Sequence, residues 1–241
     1  MKYRGEALKE IIFPLGGIGS GCVGLRGNGQ LADFEIFNRP NKNSVNGYSH
    51  FAIRTVTEDG ETDARILNGD VQKDLMGVYS KSRFSGYGFG PASCTMCGFP
   101  HFRECVFDGE FPFAEISFSD PDFKGEVSLM AFNPMIPGDS LNSSIPAAFF
   151  RIIYKNTTSA SLKADIAFSM ANPFSAECRN TVADNGGFTA ITMSGIGTPF
   201  DTKTAGDITV ATSARNVNAQ ERRVLLRFLM LLLRKQVASA L

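Results

Sequence analysis

Two carboxylates, Asp33 and Glu35, are spaced so that they could act together. Glycosidases use such a pair, with one group as acid/base and the other as nucleophile or base. Residues two apart on a strand face the same side, but catalytic partners normally come from separate segments across a cleft. The pair is therefore interpreted as part of a polar sheet face that is balanced by Arg26 or Arg39. No catalytic residue is predicted in this chain.

A second group of reactive side chains has the spacing C-x2-C-x3-H-x3-C and comprises Cys94, Cys97, His101 and Cys105. Three thiolates and an imidazole can hold zinc in tetrahedral geometry. The spacing is compact, however, and the residues around His101 are typical of the start of a strand. Buried free thiols are the simpler interpretation, so no metal ligand is predicted.

Residues 19–24 match the glycine pattern G-x-G-x-x-G of dinucleotide-binding loops. That chemistry requires a helix to begin at the last glycine and an acidic residue about twenty positions later. The residues that follow include Gly27 and Gly29, which a helix would not tolerate, and Ser44 stands at the acidic position. Residues 16–21 are interpreted as a crowded turn with positive φ, which could also line a neighbouring pocket. No cofactor is predicted.

His50 and His101 are the two histidines of the chain. Ser49 directly precedes His50, so their side chains point to opposite faces if this segment is a strand. A serine–histidine–aspartate relay requires groups that converge, and nothing in the sequence indicates such convergence. Both histidines are therefore predicted to be structural.

The elements that would position these groups are short alternating segments separated by glycine, proline, asparagine and aspartate. Residues 162–170 and 114–118 are apolar at every second position, as half-buried strands are. Gly29 and Gly60 each follow an asparagine or aspartate and suit tight hairpin turns. We count roughly ten to twelve strands and no helix before residue 220, which favours an all-β fold, a two-sheet antiparallel β-sandwich.

The chain has 21 phenylalanines and no tryptophan, which bears on carbohydrate binding. Sugar-binding modules stack pyranose rings on exposed flat aromatic side chains, tryptophan above all. The phenylalanines are instead predicted to lie at inward strand positions and to form core, for example Phe111, Phe113, Phe118, Phe149 and Phe150. This disfavours a stand-alone carbohydrate-binding module.

The charges are balanced, since Lys plus Arg and Asp plus Glu number 24 each. A protein that binds nucleic acid or an anionic membrane normally has a basic excess, so both partners are disfavoured. The polar start, residues 1–6, lacks the apolar stretch of a signal peptide. The 5 cysteines are an odd number with irregular spacing, which fits reduced thiols. We therefore expect a cytoplasmic protein.

The last twenty residues, 222–241, break the strand pattern. Arg222 and Arg223 precede an apolar run over residues 224–233, whereas a membrane-spanning helix needs roughly 20 residues. Three interpretations stay open: a buried final helix, a short membrane-surface anchor, or a tail that does not belong to this fold.

Five segments form a long and specific pattern when they are taken together. They are residues 13–21 (FPLGGIGSG), 25–40 (LRGNGQLADFEIFNRP), 47–51 (GYSHF), 111–114 (FPFA) and 143–150 (SSIPAAFF). This pattern resembles the N-terminal domain of glycoside hydrolase family 116, the bile-acid β-glucosidase or non-lysosomal glucosylceramidase type. The resemblance runs from about residue 10 to residue 221.

The resemblance implies a β-sandwich domain followed by a helical (α/α)6 barrel. It also implies a retaining mechanism on β-linked glucosides, with a Glu nucleophile and an Asp acid/base that both lie in the barrel. Neither carboxylate is assigned to a residue here, so this chain alone is expected to be inactive. The expected partner is the missing helical catalytic domain of the same enzyme, through which the β-glucoside substrate is bound.

Family members continue past Glu221 with tryptophan-rich sequence of the same domain, which an arginine- and leucine-rich tail replaces here. We therefore expect an incomplete N-terminal β-sandwich domain of a glycosidase over residues 1–221. Residues 222–241 are expected to be an aberrant apolar and basic tail, from a shifted reading frame or a truncated gene, that forms a short helix or is disordered. Unpaired edges in such a sandwich favour aggregation, so we expect marginal stability.

The alternative is a stand-alone carbohydrate-binding module, or a purely structural or interaction β-sandwich. Under the first hypothesis, the loop of residues 16–21 and the strand of residues 33–39 are the candidate contacts with the catalytic domain. Both segments are dense in glycine and polar groups.

Overall fold

The structure is a computed structural model that describes residues 1–70, 96, 98–174, 177–199, 202–224 and 226–237. From residue 221 onward, the backbone alone is described. Within these ranges, no helix is long and apolar enough to cross a membrane.

Short strands make up most of the regular structure in the described part of the chain. They are β1 (Lys2–Arg4), β2 (Ile12–Leu15), β3 (Cys22–Arg26), β4 (Leu31–Glu35), β5 (His50–Val56), β6 (Thr62–Ile66), β7 (Glu104–Glu110), β8 (Phe113–Ser119), β9 (Glu126–Phe132), β10 (Phe149–Lys155), β11 (Leu162–Ala171), β12 (Cys178–Asp184), β13 (Thr189–Gly195), β14 (Asp207–Thr212), β15 (Val217–Val224) and β16 (Leu226–Val237). The described helical segments are a 3₁₀ helix, Gly5–Glu10, and a single turn, α1, Ser140–Ser143.

The strands form four antiparallel sheets. Two sheets have five strands, in the orders β1-β7-β8-β9-β10 and β15-β16-β11-β5-β6, and two have three, β2-β3-β4 and β12-β13-β14. Apolar side chains from all four sheets form one core. Phe51 on β5 contacts Phe150 on β10, with ring centroids 5.1 Å apart, which joins the two larger sheets. The prediction of an all-β antiparallel fold is confirmed.

Strand β8 shows why an alternating sequence forms a sheet with one buried face. Ala114, Ile116 and Phe118 are buried, whereas Glu115 and Ser117 face solvent. Full burial of a large apolar side chain contributes roughly 1.5–3 kcal/mol. A slip of one residue would turn these side chains outward. Because β8 lies between β7 and β9, its buried face is continuous with theirs.

The two predicted hairpin turns are present. In the turn between β3 and β4, the backbone N–H of Arg26 donates to the carbonyl of Gln30 at 2.9 Å, and Gly29 has a φ of 94°. Gly60, with a φ of 89°, lies in the turn between β5 and β6. Glycine adopts such positive φ values without the steric cost of a side chain.

The prediction that five phenylalanines lie in the core is wrong for three of them. Phe111, Phe113 and Phe149 expose 59%, 53% and 39% of their surface. Phe118 is buried and Phe150 is half-buried. Neighbouring residues on a strand face opposite sides, so Phe149 and Phe150 cannot both point inward.

Two of these exposed phenylalanines, Phe113 and Phe149, form part of a row of rings on the outer face of the first five-stranded sheet. Register places Phe113, Phe132 and Phe149 side by side across β8, β9 and β10. The ring centroids are 6.0 Å apart for the first pair and 4.7 Å apart for the second. Aromatic rings at this spacing attract one another, so the row has a defined shape.

The C-terminal segment differs from the sequence prediction of a short helix or a disordered tail. Leu226–Val237 is strand β16, which pairs with the whole length of β11 on one side and with β15 on the other. An apolar run without periodicity does not distinguish a helix from a buried strand. Pairing on both edges satisfies backbone groups of the strand. That residues from Arg222 onward arise from a shifted reading frame stays a prediction.

Candidate functional site

Asp33 and Glu35 lie at the end of β4 and share one cation, Lys42. The Lys42 Nζ atom is 3.3 Å from Asp33 Oδ2 and 3.0 Å from Glu35 Oε2. The prediction that the two carboxylates face the same side is therefore confirmed. The predicted cation is wrong, since neither Arg26 nor Arg39 forms an ion pair with them in the described residues; a lysine on the loop after β4 reaches both instead.

The loop that contains Lys42 is fastened back onto β4. Glu35 Oε1 accepts a hydrogen bond from the backbone N–H of Asn41 at 3.1 Å, and Asp33 Oδ1 accepts one from the backbone N–H of Asn43 at 2.7 Å. These bonds occupy backbone donors on either side of Lys42, so its position between the carboxylates is fixed by the main chain.

The electrostatics of this cluster favour its charged forms. The pKa of Glu35 is lowered, first by the hydrogen bond from the Asn41 N–H and then by Lys42. The pKa of Lys42 is raised by Glu35 and then by Asp33. A glycosidase acid needs a carboxyl group whose pKa is raised. The Glu35 carboxylate is thus unsuited to the role of general acid, and the cluster has the chemistry of a fixed ion-pair network.

Cys22 adds a thiol to the same cluster. Its Sγ atom donates to Glu35 Oε2 at 3.5 Å. Burial, followed by the Glu35 contact, raises the pKa of this thiol, which disfavours the nucleophilic thiolate. The thiol is a hydrogen-bond donor here and lacks the environment of a catalytic cysteine.

The glycine-rich loop, residues 16–21, packs directly against other backbone segments. A Cβ atom on Gly17 would overlap the carbonyl oxygen of Ile145. A Cβ on Gly21, whose φ is 87°, would lie 2.6 Å from the carbonyl oxygen of Glu35. The interpretation as a crowded turn is confirmed. The two candidate contact segments, the loop and β4, are therefore adjacent.

The dinucleotide pattern lacks the structure that it would need. Strand β3 begins at Cys22, inside the G-x-G-x-x-G sequence, so no helix opens there. A pyrophosphate site of that kind depends on the helix amino terminus. The glycine loop also does not line the pocket near β4, which is formed by residues 8–12 and by side chains between residues 26 and 43.

Asn133, just after β9, anchors the glycine loop. Its Oδ1 atom accepts a hydrogen bond from the backbone N–H of Gly16 at 2.8 Å, and its Nδ2 atom donates to the carbonyl of Pro14 at 2.9 Å. Asn133 is buried. A buried amide with both ends paired holds the loop against the first five-stranded sheet.

Ser143 organises an apolar surface beside this loop. Its carbonyl accepts a hydrogen bond from the Ile18 N–H at 2.9 Å. Its Oγ atom accepts from the Ile136 N–H at 2.9 Å and donates to the Ile136 carbonyl at 3.1 Å. Four large apolar side chains around it face solvent, and we call them the Ser143 patch: Ile18, Ile136, Leu141 and Ile145. Exposed apolar clusters mark interaction surfaces.

The two histidines contact main-chain carbonyls. His50 Nδ1 lies 2.7 Å from the Tyr48 carbonyl oxygen, and His101 Nε2 lies 2.9 Å from that of Met96. Burial lowers the pKa of His50, which favours the neutral ring. These contacts are those of structural histidines.

The proposed zinc ligands Cys94 and Cys97 lie outside the described residues. Cys105 is buried, and burial raises its pKa to about 12. Zinc binds the thiolate, which such a pKa disfavours. Among the residues that the structure describes, no group of three metal-binding side chains could hold an ion.

Sequence reasoning missed Lys42 and Ser143. Lys42 follows a Pro40-Asn41 turn, a local signal that the chain reverses, but the sequence does not say which carboxylates it meets. Asp139 caps the amino terminus of α1 and accepts a hydrogen bond from the Asn142 N–H at 3.0 Å. An aspartate is a preferred residue at this capping position, so it is a local signal for the helical turn that contains Ser143. The contacts of Ser143 with Ile18 join distant segments and have no local signal.

Comparison with protein families gives one match. The model described as beta-glucosidase 2, glycosyl-hydrolase family 116 N-term, matches residues 13–231. The matched range contains the glycine loop, the Lys42 cluster and the Ser143 patch. No curated protein gave a match.

Proposed function

Because the chain belongs to the N-terminal domain family of glycoside hydrolase family 116, we propose that it is the non-catalytic β-sandwich domain of a retaining β-glucosidase. The enzyme would be of the glucosylceramidase type and act on β-glucosides. Catalysis would come from a helical domain outside residues 13–231, against which this domain packs.

The observation that supports this function is the Ser143 patch. Four exposed apolar residues flank Ser143, at the place where three segments of the family pattern meet: residues 13–21, 25–40 and 143–150. An exposed apolar cluster gains free energy when a partner covers it. The Lys42 cluster, at the neighbouring end of β4, would supply the polar rim that such an interface has.

The test combines this chain with a separately produced catalytic domain of a family 116 β-glucosidase. We expect no hydrolysis of an aryl β-glucoside by this chain alone, and association with the catalytic domain in calorimetry. The double variant Ile18→Asp, Leu141→Asp should weaken association at least about tenfold, because it places two charges in the apolar contact.

The matched control for this test is Val182→Asp, which introduces the same charge at an exposed apolar residue on β12. It should bind the catalytic domain as the unaltered chain does. Turnover by this chain alone would contradict the proposal, as would equal binding by the patch variant and the control.

A second function, carbohydrate binding, is favoured by the row of Phe113, Phe132 and Phe149. Phe132 and Phe149 stack on each other with planes 12° apart, so a pyranose would stack on Phe113 or on the outer face of Phe149, which are exposed. Calorimetric titration with methyl β-glucoside separates the two functions. Carbohydrate binding would be established if this chain alone binds the glucoside and Phe113→Ala abolishes that binding. Phe188→Ala, at an exposed residue between β12 and β13, is the control and should bind as the unaltered chain does.

A further inference from the structure

A pocket of about 280 Å³ lies between the 3₁₀ helix and the β3–β4 hairpin. Residues 8–12 form one wall, and the other wall is polar, with Arg26, Asn28, Asp33 and Lys42 among its residues. Binding pockets for drug-sized ligands start at roughly 300 Å³. This pocket therefore has room for a small molecule or a single charged group.

Arg26, on the polar wall, is a buried cation whose hydrogen-bond partners are uncharged. It exposes 6% of its surface, yet its guanidinium donates to two neutral oxygens, Gln30 Oε1 at 3.1 Å and Asn43 Oδ1 at 3.3 Å. No ion pair of Arg26 occurs within the part of the chain that the structure describes. A buried charge that lacks a counter-charge is costly.

Two arginines of another sheet, the exposed Arg54 on β5 and the partly buried Arg65 on β6, have carboxylate partners. Arg54 pairs with Asp165, with Nε 2.9 Å from Oδ2. Arg65 pairs with Asp63 at 3.1 Å and with Asp120 at 2.6 Å. The partly buried guanidinium of Arg65 thus has two carboxylates within ion-pair distance, whereas the more deeply buried one of Arg26 has none in the described residues.

Two carboxylates line the pocket: Glu10, which is exposed, and Asp33, which is buried and already engaged. Asp33 pairs with Lys42 at 3.3 Å and accepts the Asn43 N–H at 2.7 Å. It shares the Lys42 charge with Glu35, which lies 3.0 Å from the same Nζ atom. A guanidinium has five N–H donors in a planar fork, and the two bonds to Gln30 and Asn43 leave donors of Arg26 to bind another acceptor.

We infer that this pocket binds a small molecule through an oxyanion group, a carboxylate or a phosphate, which Arg26 holds. Paired N–H donors match two oxygens of such a group. Lys42, which exposes 67% of its side chain, stands at the solvent side and adds positive charge. Apolar Leu8 and Ile11 on the opposite wall would contact the remainder of the ligand.

The test is calorimetric titration of the full chain with inorganic phosphate and, separately, with acetate, at an ionic strength held constant with sodium chloride. We expect saturable binding of one anion per chain. Arg26→Gln should weaken it at least about tenfold, since charge-assisted bonds are lost. Arg151→Gln, the same change at an exposed position on β10, should leave it unaltered.

Lys42→Gln covers the case in which Arg26→Gln does not fold. It removes an exposed cation, and the buried Asp33 carboxylate that it leaves behind still accepts the Asn43 N–H at 2.7 Å. This variant should weaken phosphate binding severalfold, with unchanged circular dichroism. Absence of saturable binding by the unaltered chain would overturn the inference. So would equal losses in Lys42→Gln and Arg151→Gln. These measurements need no catalytic domain, so their outcome is independent of the proposed glycosidase function.

Discussion

Two ion-pair regions differ in which parts of the chain they join. Arg54 and Asp165 join β5 and β11 within a five-stranded sheet, where Asp165 exposes 2% of its side chain. Lys42 joins Asp33 and Glu35 at the rim of β4, with most of its side chain in solvent. In both regions the cation is exposed, since Arg54 exposes 45% and Lys42 67% of the side chain, and a carboxylate is buried, with 2% exposed for Asp165 and 6% for Asp33. The first pair joins strands 111 residues apart in sequence, whereas Lys42 and its two carboxylates lie on one strand and the loop that follows it. The first region should therefore govern stability and the second should govern recognition.

Removal of β16 is expected to have the largest effect on stability. Strand β11 pairs with β5 on one edge and with β16 on the other, so the deletion leaves the second edge of β11 without a partner strand. The chain 1–221, which ends at the sequence-predicted domain boundary, loses every pairing between β11 and β16. We expect it to lack a cooperative thermal transition by circular dichroism. The control, chain 1–237, retains both strands and should melt as the full chain does. An unchanged melting temperature for chain 1–221 would show that β16 does not support this sheet.

Loss of Arg54 is expected to have the next largest effect. Arg54→Ala removes charge-assisted hydrogen bonds from the buried Asp165 carboxylate, at a cost of roughly 1.5–3 kcal/mol in the free energy of unfolding. Urea denaturation measures this change. Arg151→Ala on β10 removes an exposed arginine and should change stability far less. Similar losses in the two variants would remove the distinction between the regions.

Loss of Lys42 is expected to have the smallest effect, and a pH-dependent one. The pKa of Glu35 is lowered in the folded state, so the pair stabilises the fold above the unfolded pKa of about 4.3. This stabilisation is lost as pH falls through the folded pKa. The small stability difference between the unaltered chain and Lys42→Met should therefore vanish in acid.

Urea denaturation at about pH 7 and about pH 3 tests this prediction on either side of the carboxyl titration. Lys155→Met, which removes an exposed pair with Glu126, is the matched control for loss of a surface lysine. If the stability difference between the unaltered chain and Lys42→Met is larger at about pH 3 than at about pH 7, the predicted direction of the pH dependence is wrong.

Alternation of apolar and polar residues along the sequence predicted the strands that have one buried face and one solvent-facing face. The alternation in β8 and β11, and the glycines at turn positions 29 and 60, were sufficient because each depends on residues close in sequence. These features require no knowledge of the tertiary fold.

Long-range packing decided the features that the sequence did not predict. Phe113 and Phe149 were predicted at inward strand positions, but Phe113 alternates with the buried Ala114 and Phe149 with the half-buried Phe150, so their parity places them outward. Lys42 was missed because the conformation of its loop determines which carboxylates it reaches. The apolar run in β16 fits a helix or a strand equally well until β11 and β15 are available to pair with it.

The two-way hydrogen bonding of Ser143 has a consequence for the kinetics of association. Ile18 and Ile136 are held by main-chain bonds to this one residue, so the surrounding surface is ordered before a partner arrives. Ordering a mobile side chain on binding costs about 0.5–1.5 kcal/mol. A preorganised surface avoids much of that entropy loss. The rate at which a partner binds to it should therefore depend on diffusional encounter and orientation, without a folding step.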